Sequence, residues 1–131
     1  MGNTLKINLQ PDTCNLCSGE VVYVSNAAIY GKEYGSGFCY LCKNCGAYVG
    51  THRGRPKEAF GILANRRMRD YKKTCHGLFD RLWNTKEERR AMYKKLAEAM
   101  EIPVEECHFG YFDTHQLIQA LSIIMEWTRD D

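Results

Sequence analysis

No stretch of this 131-residue sequence is apolar for anything near the roughly 18 residues needed to cross a bilayer. Its start, MGNTLKINLQPD, lacks the basic opening and continuous apolar core of a signal peptide, and Lys6 stands where a myristoylation signal has Ser or Thr. Low-complexity tracts are missing as well, and contents of 44% hydrophobic and 26% charged residues are ordinary for a globular protein. Membrane insertion, export and extensive disorder are therefore not expected, and the chain reads as soluble and cytoplasmic. Nor does a nucleophile or oxyanion motif stand out, so no small-molecule substrate and no catalytic residue is assigned.

Cysteine, by contrast, is plentiful. There are seven, five of them between Cys14 and Cys45. A reducing cytosol does not maintain disulfides, and the odd count with close pairs argues against a secreted disulfide scaffold. Metal binding is the natural alternative. CNLCSG (14–19) and CKNCGA (42–47) are two C-x2-C knuckles, and each turn points both thiolates into one small loop. Gly19 and Gly46 follow the second cysteine of each pair and are expected to supply a positive φ. With 24 residues between Cys17 and Cys42, the pattern is that of a four-cysteine zinc ribbon. The ligands are Cys14, Cys17, Cys42 and Cys45, holding one structural Zn2+ ion. Cys39 lies three residues upstream of Cys42 and is expected in a strand, with a role as alternate ligand left open. A closed site of four thiolates has no position for a catalytic water.

The chain around the knuckles reads as small antiparallel sheet. EVVYVSN (20–26), SGFCYL and AYVGTH are β-branched and aromatic, the glycine-rich YGKEYGSG forms the connection, and TLKINLQ suggests an extra edge strand. The expected fold class is α+β, with a zinc ribbon over residues 1–53 packed with a three-helix unit over 54–131. The first helix is predicted over about 58–79, with Ala64, Met68, Tyr71, Cys75, Leu78 and Phe79 on its inner face and Arg66, Arg69 and Lys73 outside. TKEE (85–88) is a capping box opening a helix through Met100, whose stripe is Met92, Leu96 and Met100. Asp113 with Gln116 opens the last helix, with Leu117, Ile118, Leu121, Ile124 and Met125 as its stripe.

Charge is unevenly placed. Residues 52–73 carry eight Arg and Lys against only Glu58 and Asp70, whereas 101–131 carry seven acids against Arg129. A basic segment with so few interleaved acids suits an anionic partner. Arg53, Arg55, Arg66, Arg67, Arg69 and Lys73 are candidate phosphate contacts, and Tyr48, with Tyr23, Tyr30 and Tyr34, is a candidate for stacking on unpaired bases. Single-stranded nucleic acid is thus one expected partner, a protein the other. Paired Cys-His dipeptides, Cys75-His76 and Cys107-His108, invite a second metal site, but adjacent helical residues point to different sides. His52, His76 or His108 with Asp80 or Asp113 would serve a nuclease.

Taken jointly, CNLCSG, VSNAAIYGKEYG, CKNCGAYVGTHRG, GILAN, HGLFDRLW and ECHFGYFD resemble a zinc-finger-containing family of phage and prophage proteins. The resemblance spans about residues 14–115. It implies Cys14, Cys17, Cys42 and Cys45 as ligands and a host-cell cytoplasmic setting if the chain is phage-encoded; the family is described by its finger and not by an activity, and a regulatory role or capture of a host factor are the readings considered beside it. Family members with a longer second knuckle place five residues between its cysteines, which is the separation of Cys39 from Cys45. The finger is also similar to those appended to type IA topoisomerases, which bind single-stranded DNA.

Overall fold

A computed structural model describes residues 7–32 and 37–129. The chain divides into two compact units, one ending at Arg66 and the other beginning at Arg67. In the first, β1 (Val21–Ser25), a single-turn helix α1 (Ala27–Tyr30), β2 (Phe38–Cys42) and β3 (Tyr48–Gly50) follow in order. The strands form an antiparallel sheet in the order β1-β2-β3, with Tyr23 opposite Tyr40 and Tyr40 opposite Val49. Period-two alternation sends Val21, Tyr40, Cys42 and Val49 into one small core with Cys14, Ala47, Ala59 and Leu63. The α+β class expected from the sequence is observed.

Two expectations about this unit change. The extra edge strand falls partly on residues 4–6, outside the described residues, and Ile7–Gln10 are not in a strand. More consequentially, residues 58–65 are not helical. Ala59 bridges Thr51, Ala64 bridges Tyr48, and the Asn15 side chain brackets Leu63, donating to its carbonyl at 3.0 Å and accepting from its amide at 2.9 Å. Tyr23 and Tyr40 donate their hydroxyls to the carbonyls of Pro56 and Lys57. A three-stranded sheet this small cannot close a core alone, so it takes Ala59 and Leu63, both fully buried, from the segment that sequence reading assigned to the helical region. Gly61 weakens the helical alternative for those residues.

The second unit contains α2 (Arg66–Phe79), α3 (Lys86–Met100) and α4 (Thr114–Thr128), with 3-10 turns at Asp80–Leu82, Val104–Glu106 and Phe109–Tyr111. Both capping boxes form. Thr85 accepts from the Glu88 amide while Glu88 reaches back, and Asp113 and Gln116 do the same. The core is aromatic: Phe109 meets Phe79 at 5.5 Å, Phe112 at 5.9 Å and His76 at 4.7 Å between ring centroids. On α4 the buried line is Leu117, Ala120 and Ile124, whereas Ile118 and Met125 are exposed. Those two sit seven residues apart, one residue (100°) round the helix from Leu117 and Ile124, so the stripe drawn from sequence is too wide for one contact face. Among the described residues no helix is long and apolar enough to cross a membrane.

Candidate metal centre

Each knuckle is built by the same backbone bonds. The Cys14 amide donates to the Gly19 carbonyl and the Ser18 amide returns to the Cys14 carbonyl; the Cys42 amide donates to Ala47 and the Gly46 amide returns to Cys42. Amides then turn inward onto sulfur: Leu16 onto Cys14 at 3.3 Å, Gly19 onto Cys17 at 3.4 Å, and Asn44 and Cys45 onto Cys42 at 3.3 and 3.4 Å. These amides surround the sulfurs with donors, the environment usual for metal-binding cysteines in such turns.

The four sulfurs of Cys14, Cys17, Cys42 and Cys45 all lie within 4.8 Å of one another. Cys14 is 3.7 Å from Cys45 and Cys17 is 3.5 Å from Cys42, and all four are free thiols. A tetrahedral ion with Zn–S bonds of about 2.3 Å sets its ligands about 3.8 Å apart, so the donor set and its spacing fit zinc. Electrostatics agree. The Asn44 side-chain amide, with the Gly19 amide and the Cys42 sulfur, lowers Cys17 to about 6. Cys45 receives the Ala47 amide, yet desolvation and the neighbouring sulfurs push it up to about 12. Thiolates this close oppose one another's ionisation, and a divalent cation among them removes the conflict. The four cysteines can bind a single zinc ion, and they are the only such cluster among the described residues.

Cys39 is buried in β2 opposite Gly50 and does not join the cluster. Three residues from Cys42, it lies on the other face of the strand.

The glycine expectation is half met. Gly46 has φ of 82°, but at the first knuckle the left-handed residue is Ser18, with φ of 66°. Gly19 serves a different need, because a Cβ there would lie 2.7 Å from the Asn44 Cβ and 3.0 Å from the Cys42 sulfur. Gly19→Ala must displace Asn44, whose side chain donates to Cys17 at 3.3 Å. Zinc affinity, measured by competition with a chromogenic chelator, should fall about 10- to 100-fold in Gly19→Ala. Ser18→Gly should raise the melting temperature, since it relieves a strain of about 1 kcal/mol. Unchanged zinc affinity in Gly19→Ala would show that the close approach is not needed.

Residues 10–127 match the zinc-finger-containing domain family. The chain belongs to that family. No curated protein and no solved structure matches it. The four-sulfur cluster falls within the matched residues and lies wholly in the first unit.

The remaining sequence candidates are placed as follows. Arg53 is exposed, and Arg55 is paired with Glu58 at 2.8 Å. Arg66, Arg67 and Lys73 are exposed on α2, Arg67 lying over the Tyr71 ring, while Arg69 is half-buried. Tyr48 is half-buried and its hydroxyl accepts from Tyr30 at 3.2 Å; Tyr23 stacks on Phe38; Tyr34 lies outside the described residues. His52 meets Phe60, His76 meets Phe109 and His108 meets Tyr111, each ring against ring. Cys75 and Cys107 are buried, and burial raises their thiols to about 11 and about 12, as expected of inert packing cysteines. Sequence reading missed Asn15 and Asn44, which secure the knuckles through partners 48 and 27 residues away.

Proposed function

We propose that this chain is a zinc-stapled nucleic-acid-binding protein of phage or prophage type, regulatory in role, in which the metal is structural and α2 carries the phosphate contacts. The observation behind this reading is the charge at the start of α2. The exposed Arg66 and Arg67 open the helix, and no acidic residue lies in its first turn. A helix N-terminus already carries positive potential, so cations there are unfavourable unless an anion meets them. Phosphate is the anion that suits both the backbone amides and the guanidinium forks. Lys73 extends this face by two turns; taken by itself, the ribbon unit carries separate candidates, the exposed Arg53 for a phosphate and Tyr48 for an unpaired base.

Binding to short single strands should therefore weaken steeply with salt. For a four- to six-contact site, log K falls by about 0.7 per contact for each tenfold rise in salt. Arg66→Ala with Arg67→Ala should lower both the affinity and the slope. Single strands that fail to bind at low salt, or that bind without salt dependence, would dismiss the reading.

The exposed Ile118 and Met125 favour a second reading, an interaction module for a host protein. Such a partner would remain bound after nuclease treatment and be lost from Ile118→Ser with Met125→Ser.

A further inference from the structure

Away from α2, a cleft of about 350 Å3 opens along α3, with Arg89, Arg90, Tyr93 and Lys94 on one wall and Val104, Cys107 and His108 on the other. The helix repeat explains the first wall. Arg89 and Tyr93, and Arg90 and Lys94, are each one turn apart on adjacent rows, so all four side chains meet the same space. Three permanent cations line the cleft and no carboxylate does.

These cations are left without counter-ions. Ion pairs form elsewhere, as in Lys43 with Glu20, Arg55 with Glu58 and Arg129 with Glu126, and among the described residues no carboxylate pairs with Arg89, Arg90 or Lys94. Glu87 and Glu98 are within helical reach of Arg90 and Lys94 by spacing, yet neither pairs. Like charges at i and i+4, as in Arg90 and Lys94, destabilise a helix. The arrangement thus costs stability, and an incoming anion would offset that cost. Meanwhile the Arg89 guanidinium rests over the Trp83 and Tyr93 rings, 5.7 and 5.1 Å from their centroids.

The opposite wall is planar and uncharged. Desolvation, then the nearby Arg89 charge, pulls His108 below its ordinary value, so at neutral pH it presents a neutral ring. That ring lies 4.7 Å from Tyr111 and 6.1 Å from Tyr93. Cys107 forms an apolar floor, since a thiol raised to about 12 by burial is no nucleophile.

We propose that the α3 cleft binds a phosphate ester carrying a planar ring, a single nucleotide unit, with its phosphate between Arg89, Arg90 and Lys94 and its base against His108 and Tyr93. Three cations suit a dianion rather than a carboxylate, guanidinium forks match phosphate oxygens, and the volume lies within the range of small-ligand pockets. The site shares no residue with the α2 face and does not depend on the reading above.

The test uses the zinc-loaded full chain and adenosine monophosphate as probe, followed by calorimetry and by Trp83 fluorescence in a Trp127→Phe background. Adenosine monophosphate should bind about tenfold more tightly than inorganic phosphate or adenosine, with a change in Trp83 emission as Arg89 leaves its ring. Arg90→Ala and Lys94→Ala should each weaken it about tenfold or more while the melting temperature holds or rises, and Arg66→Ala with Arg67→Ala should leave it unaltered. Competition by a single strand bearing a 5′ phosphate, but not by one lacking it, supports the site with a strand end as source. Lack of competition by either supports it with a free nucleotide. No binding of adenosine monophosphate up to about 10 mM, or binding indifferent to Arg90 and Lys94, would overturn the proposal.

Discussion

Stripping zinc with a high-affinity chelator should unfold residues 7–66 while the helices of residues 67–129 keep their far-ultraviolet signal. The first unit has little else to stand on. Its strands hold five, five and three residues, and its main core cluster among the described residues has eight buried members, two of them the cysteines Cys14 and Cys42 of the metal cluster. Structural zinc contributes on the order of 10 kcal/mol to such a module, comparable with the whole stability of an ordinary domain. Removing it also leaves four crowded thiols, which must take up protons or separate. Amide peaks of β1, β2 and β3 should therefore lose their dispersion, and thiol reagents should reach Cys14 and Cys42 as fast as the exposed Cys17 and Cys45. Acid should have the same effect, because every ligand must be a thiolate. Cys42→Ser should lose the metal and Cys39→Ser should keep it. A sheet that persists without zinc, or equal loss from both variants, would contradict the structural role.

The features that sequence reading located well are those written in short range. Each knuckle needs only two cysteines and a turn, and each capping box needs only Thr85 with Glu88 or Asp113 with Gln116. The features it misplaced depend on distant partners. Residues 58–65 have an acceptable helical pattern, but Thr51, Tyr48 and Asn15 claim their backbone, and nothing local to the segment announces that. Gly19 looked like a turn glycine, whereas its role comes from Asn44 and Cys42 across the cluster. On α4, the hydrophobic residues outnumber the positions that packing can cover, so pattern alone could not separate Ile124 from Met125. Asn15 was the one legible clue overlooked: a polar residue inside a knuckle has a side chain free to bind backbone.

Phe109→Ala should be the most damaging single change in the second unit, lowering its stability by about 3–5 kcal/mol. Phe109 is 1% exposed and touches the rings of His76, Phe79, Tyr93 and Phe112, so truncation empties the centre of the aromatic cluster instead of its rim. The loss is comparable with the total stability of many domains, and urea should unfold the variant's helices at a much lower concentration. Zinc should stay bound, because all four ligands lie in residues 7–66. The variant should also alter the pH response. Desolvation holds His76 below its ordinary 6.5, against the pull of Asp80 and aided by Lys72 and Arg89. His108 is lowered in the same direction. The unfolded chain therefore binds protons first as pH falls below about 6.5, and the stability present above that pH is lost on acidification. Urea midpoints of the wild type should drop between about pH 7 and pH 5, and Phe109→Ala, which uncovers the one side of the otherwise exposed His76 that the ring packs on, should show a slightly shallower drop. An equal slope in both proteins would mean that the Phe109 ring does not desolvate the imidazole.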